Sequence, residues 1–119
     1  MEGTILGGNL RCLLKLAGTR YWPDFSGRLL FLESNGGEVA QIVSGFTQLR
    51  QLGVFAQVSG VLLGTFTAME RKGLLPTAED LLLQYVRPEL PVAKTIAIGH
   101  GDDSKCLMIG ESMRLQRIL

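Results

Sequence analysis

The sequence predicts an α/β domain with a partly parallel sheet and antiparallel strands added late in the chain. Three observations carry this expectation. Residues 28–32 read Arg-Leu-Leu-Phe-Leu, a nearly continuous apolar run of the kind found in strands covered on both faces. Val39, Ile42, Val43, Phe46, Leu49 and Leu52 recur every three or four residues, which marks one face of a helix. Strand-like and helix-like segments alternate along the chain before a strand-rich end, the order that builds crossover connections between parallel strands.

The elements follow in order. Residues 4–6 are a short strand that Gly7-Gly8 breaks, and Asn9 has the side-chain oxygen to cap the helix that follows. Leu10, Leu13, Leu14 and Ala17 fall at helical spacing up to Gly18. Residues 19–27, with Pro23, Asp24 and Gly27, form a loop. After the strand at 28–32 come a turn at 34–37 and the long helix, closed by Gly53. Residues 54–66 are apolar with Gly60 and Gly64 inside, a strand or two strand pieces. Residues 67–76 are a loop with Glu70-Arg71-Lys72 at its tip. Thr77 caps a helix over 78–86, with Glu79 and Asp80 in the first turn, where the helix dipole favours them. Residues 92–98 form a strand ending at Gly99-His100-Gly101, 102–105 a polar turn, 106–109 a short strand and 112–118 a closing strand.

Size and composition bound the function. With 119 residues, 46% hydrophobic and 19% charged, the chain has the makings of one domain with a mostly aliphatic core. A net charge of +1 without a basic, aromatic-interleaved cluster argues against nucleic acid. No apolar run reaches the roughly 20 residues of a membrane helix, and the N-terminus carries no signal-peptide pattern. The abrupt strand at residue 4 suggests a chain that starts in mid-fold. Cys12 and Cys106 are too few and too far apart for a disulfide framework, and are expected to be free, buried thiols in a reducing compartment.

Glu33 and His100 each follow a predicted buried strand, and sites in open α/β sheets gather at such carboxyl ends. A carboxylate that accepts one ring N–H fixes the histidine tautomer and leaves the other nitrogen to take a proton from a nucleophile. On spacing alone, a solvated glutamate and a histidine in a glycine turn explain the same residues. No nucleophile stands out. Gly110-Glu111-Ser112 matches only half of the G-x-S-x-G elbow, Ser59 lies in an apolar strand and Ser44 in a helix. Cys106, six residues after His100, opens a Cys–His alternative, although its apolar neighbours suit an inert thiol. Gly7-Gly8-Asn9 fits a tight turn with a helix cap better than an anion cradle, because it lacks the phosphate-loop patterns. Asp102 and Asp103 beside a single histidine are too few for a metal site.

Taken together, Gly7-Gly8-Asn9-Leu10, Ala17-Gly18-Thr19 and Gly27 to Glu33 resemble the LD-carboxypeptidases, serine peptidases that include microcin-immunity hydrolases. Residues 49–53, 58–66, Pro91-Val92, Gly99-His100 and 107–110 continue the resemblance in order over nearly the whole chain. It implies the carboxy-terminal half of a two-domain enzyme, a swivelling β/β/α three-layer module that supplies Glu33 and His100 to a Ser–His–Glu triad; the alternative is a stand-alone, non-catalytic binding module on the same fold, in which Glu33 and His100 are vestigial. The serine would lie upstream of Met1, on the amino-terminal domain, which becomes this chain's implied partner. The implied reaction removes terminal D-alanine from murein tetrapeptide in the cytoplasm, without metal or cofactor, and the family implies a homodimer. Two departures, Met108 in the closing turn and the less acidic Ser34-Asn35-Gly36-Gly37, leave the substrate subclass open.

Overall fold

The computed structural model describes residues 1–116. Five strands form one sheet: β1 (Glu2–Asn9), β2 (Leu29–Ser34), β3 (Gly60–Phe66), β4 (Val92–Lys94) and β5 (Ser112–Arg114). Their spatial order is β4-β3-β2-β1-β5. β1 to β4 are parallel, and β5 lies antiparallel to β1, so the sheet is mixed and mostly parallel as expected. The crossovers carry helices: α1 (Leu10–Leu14) after β1, α2 (Val39–Gln51) and α3 (Val54–Gln57) after β2, α4 (Thr67–Lys72) and α5 (Ala78–Leu82) after β3.

Alternation along the strands separates two cores. Leu30, Leu32, Val61 and Leu63 face the helices and join one large apolar cluster. Ile5, Leu29, Phe31 and Leu62 face the other way and form a second cluster. Among the described residues, no helix contributes to the second cluster; Ile98, Leu107 and Met113 from the chain's last third cover it. β2 and β3 are therefore buried on both faces along their whole lengths, which is why residues 29–32 and 61–63 run apolar, with the polar residues Glu33, Ser34 and Thr65 confined to the carboxyl ends. Phe46 of α2 centres the larger core, meeting Phe55, Phe66 and Tyr85 edge-on with ring centroids 6.4, 6.1 and 5.9 Å away.

Several elements differ from the sequence expectation. β1 runs through Gly7-Gly8 rather than stopping there. A side chain on Gly7 would place its Cβ 2.0 Å from the carbonyl oxygen of Phe31 on β2, so this glycine permits close strand approach. Residues 54–57 are a helical turn, and strand geometry starts at Gly60. Of the loop expected over 67–76, residues 67–72 are α4, closed by Gly73 in the left-handed region (φ 63°), whose backbone N–H donates to the Glu70 carbonyl at 3.2 Å. The helix expected over 78–86 stops at Leu82, and β4 stops at Lys94. Residues 106–109 are irregular chain rather than a strand, and of the closing strand expected over 112–118 only β5 is regular, with 117 and 118 outside the described residues. Cys12 and Cys106 are free as expected but exposed, not buried, because α1 turns Cys12 outward and the segment around Cys106 joins no strand. Among the described residues, no helix is long and apolar enough to cross a membrane.

Candidate active site

Parallel strands bring their carboxyl ends to one edge of the sheet, and three such ends converge here. Asn9 closes β1 opposite Glu33 of β2. Thr65 lies near the end of β3. Asn9 acts as the helix cap read from sequence: its Oδ1 accepts the backbone N–H of Cys12 at 3.1 Å.

Glu33 is not the solvated strand-end residue that the plainer sequence reading allows. Its side chain is 8% exposed, whereas that of His100 is 46% exposed. His100 Nδ1 lies 2.7 Å from Glu33 Oε2, close enough for a strong, charge-assisted hydrogen bond. A carboxylate buried this deeply needs a polar partner, and the ring supplies one. With Glu33 ionised, Nδ1 carries the hydrogen and Nε2 is the nitrogen left with a lone pair. Chemically, such a pair can take a proton at Nε2 and stabilise the resulting imidazolium.

His100 reaches this position through the chain that follows β4. Thr95 donates its backbone N–H to Leu63 at 2.8 Å, and Ile98 accepts the N–H of Thr65 at 2.9 Å, so the segment stays docked along β3 past the regular strand. The backbone N–H of His100 then donates to Thr65 Oγ1 at 3.2 Å. Thr65 is not among the site residues expected from the sequence. Its signal was a lone hydroxyl residue within an apolar strand that is buried throughout.

The other candidates are not brought to the pair. Ser59 lies at the opposite end of β3, where its hydroxyl donates to the carbonyls of Gly27 and Arg28. Ser112 pairs with Thr4 across β1 and β5, and Ser44 lies on α2. Among the described residues, no serine or cysteine side chain is hydrogen-bonded to the His100 ring. Asp102 and Asp103 are exposed, and among the described residues no group of three or more His, Cys, Asp or Glu side chains could hold a metal ion. A groove of about 1130 Å³ opens between α1 and α2, with Asn9, Arg11, Ser34 and Gln41 on its walls. It starts beside the strand ends, but neither Glu33 nor His100 lines it.

Comparison with known proteins is consistent along the chain. The sequence profile described as LD-carboxypeptidase C-terminal domain matches residues 2–115. A candidate carboxypeptidase of Vibrio cholerae is 32% identical over 105 residues, covering 87% of this chain and 30% of that protein. The microcin C7 self-immunity protein of Escherichia coli is 26% identical over 117 residues, covering 97% of this chain and 34% of that protein. The crystal structure of a muramoyltetrapeptide carboxypeptidase from Oxalobacter formigenes superposes with a TM-score of 0.76 at 27% identity, covering 94% of this chain and 40% of that one. The chain thus spans 30% to 40% of the length of these relatives.

Proposed function

The chain belongs to the LD-carboxypeptidase C-terminal domain family, and from that premise we propose that it is the catalytic-support domain of a serine LD-carboxypeptidase. In this reading it supplies His100 as general base and Glu33 as the carboxylate that orients it. The single observation that carries the reading is the 2.7 Å contact between His100 Nδ1 and Glu33 Oε2 at the carboxyl end of the sheet. The nucleophilic serine would come from the amino-terminal domain of a longer cytoplasmic protein. The chain's coverage of only about a third of the Vibrio cholerae relative supports that division.

The proposed substrate is murein tetrapeptide, cleaved at the bond to its terminal D-alanine. The serine hydroxyl attacks the carbonyl carbon and its proton passes to His100 Nε2. Glu33, hydrogen-bonded at Nδ1, stabilises the imidazolium. The imidazolium returns that proton to the departing amine of D-alanine, leaving an acyl-enzyme. Water attacks the ester, again losing a proton to Nε2, and the serine recovers its hydrogen as the peptide acid leaves.

A second reading, a hydrolase of microcin-type peptides, draws on the 26% identity to the microcin C7 self-immunity protein. The same pair would serve it, with a different occupant in the cleft. One experiment tests both. Murein tetrapeptide and microcin C7 are each incubated with the longer protein and with the 119-residue chain alone, alongside a fluorophosphonate probe. D-alanine release by the longer protein, with neither turnover nor labelling by the isolated chain, is the expected result. Cleavage of microcin C7 alone would favour the second reading. Hydrolysis or probe labelling by the isolated chain would refute a nucleophile supplied from outside it.

A further inference from the structure

We infer that Thr65 is the positioning residue that sets His100 against Glu33; this inference rests on the reading of those two residues as the catalytic pair. Glu33 is fixed by its buried strand, but His100 sits in irregular chain six residues beyond the end of β4 at Lys94. Something other than sheet geometry has to place the ring.

Three contacts converge on Thr65. Its backbone N–H donates to Ile98 at 2.9 Å. Its Oγ1 accepts the N–H of His100 at 3.2 Å. Between these, Gly99 lies so close that a Cβ there would sit 1.8 Å from Thr65 Oγ1, at a backbone φ of 145° that side chains disfavour. Thr65 thus grips the residue before Gly99, the residue after it, and the space at Gly99 itself. The hydroxyl is also held from behind: Thr65 Oγ1 and Thr67 Oγ1 are 3.2 Å apart, both on buried residues. A hydroxyl with that partner keeps one rotamer and presents its lone pair to His100 in a fixed direction.

The function assigned is indirect. Thr65 touches the backbone of His100, not the reacting atoms. Loss of the hydroxyl would let the Gly99-His100 turn drift and weaken the Nδ1 to Glu33 contact while leaving both catalytic side chains in the protein. A valine preserves the shape of Thr65 without the acceptor, and a serine preserves the acceptor.

His100 is the only histidine, so a chain carrying 15N-labelled histidine reports this ring alone. Ring-nitrogen shifts, read at a pH high enough that they no longer change with pH, give the ratio of Nδ1–H to Nε2–H forms. The wild-type ring is expected to hold the Nδ1–H form. Thr65→Val should lower the ratio about five- to tenfold, the equivalent of one neutral hydrogen bond, and Thr65→Ser should keep it within about twofold of wild type. A general loss of folding would also move the strand amides, which should be unchanged in both variants. Should Thr65→Val fail to fold, amide exchange in the wild type decides. The His100 N–H should then exchange about tenfold or more slower than an unstructured amide. An Nδ1–H ratio in Thr65→Val equal to wild type, or an unprotected His100 amide, overturns the role of Thr65 while the pair stands. A wild-type ring in the Nε2–H form of free imidazole overturns the pair itself, and the role of Thr65 with it.

Discussion

Glu33 is nearly sealed from solvent while the His100 ring it contacts is close to half exposed. The asymmetry fits the two roles proposed for them. The buried carboxylate has few alternatives to the ring nitrogen 2.7 Å away, and the exposed ring can meet a group arriving from outside the chain. Replacing Glu33 by glutamine preserves shape and removes the charge that, in the proposed role, would stabilise an imidazolium at His100. In the longer protein, Glu33→Gln is expected to lower kcat for D-alanine release by about 10³- to 10⁴-fold with little change in KM. Steady-state kinetics would check this; a kcat within about threefold of wild type would count against an orienting role.

Gly7 and Gly8 are neighbours in β1 with different reasons to be glycine. Both have positive φ, 125° and 147°, but only Gly7 abuts the backbone of Phe31, while nothing lies within 4 Å of a Cβ on Gly8. Gly8→Ala is expected to cost about 1–3 kcal/mol of unfolding free energy through backbone strain alone. Gly7→Ala adds a collision that the rigid β2 backbone cannot relieve, and should cost more than about 4 kcal/mol or prevent folding. Urea denaturation of the two variants measures the difference. Equal midpoints would show that the close approach of β1 and β2 at Phe31 does not matter.

At the start of α2, Glu38 accepts a hydrogen bond from Lys72 Nζ of α4 at 2.7 Å. That hydrogen bond, and then the lysine charge, hold its carboxyl below the ordinary glutamate range. The folded form therefore binds this proton less readily than the unfolded form. The stabilisation is fully present above the unfolded value and disappears as pH falls through the lowered folded value. Both partners are exposed, so the effect is small and salt-sensitive. Urea midpoints of wild type and Glu38→Gln are expected to differ slightly at neutral pH and low salt and to merge in strong acid. A gap that persists in acid would assign the difference to something other than this ion pair.

The architecture was legible where burial acts on whole elements. The apolar run ending at Glu33 is a strand covered on both faces, and the spacing of Ile42, Phe46 and Leu49 is a helix face packed on it. α3 and α4 were hidden because elements of four and six residues are too short to show a helical repeat, and α3 shares its apolar character with the strand that follows. Gly7-Gly8 misled for a different reason: close contact between two backbones selects glycine without ending a strand. Of the site, the positions of Glu33 and His100 at strand ends could be read, but their contact across 67 residues could not. That depends on the irregular chain after β4, placed by bonds to Leu63 and Thr65 that leave no periodic trace in the sequence.

The rate of D-alanine release from murein tetrapeptide by the longer protein carrying His100→Ala tests the proposed role of this domain most directly. Because the ring is close to half exposed and His100 lies in irregular chain beyond β4, the variant should stay folded, with stability lowered by about 1–3 kcal/mol because the buried Glu33 carboxylate loses its ring partner. Its kcat is expected to fall by about 10³-fold or more. A folded His100→Ala protein that turns over within about threefold of wild type would contradict the assignment of His100 as the general base.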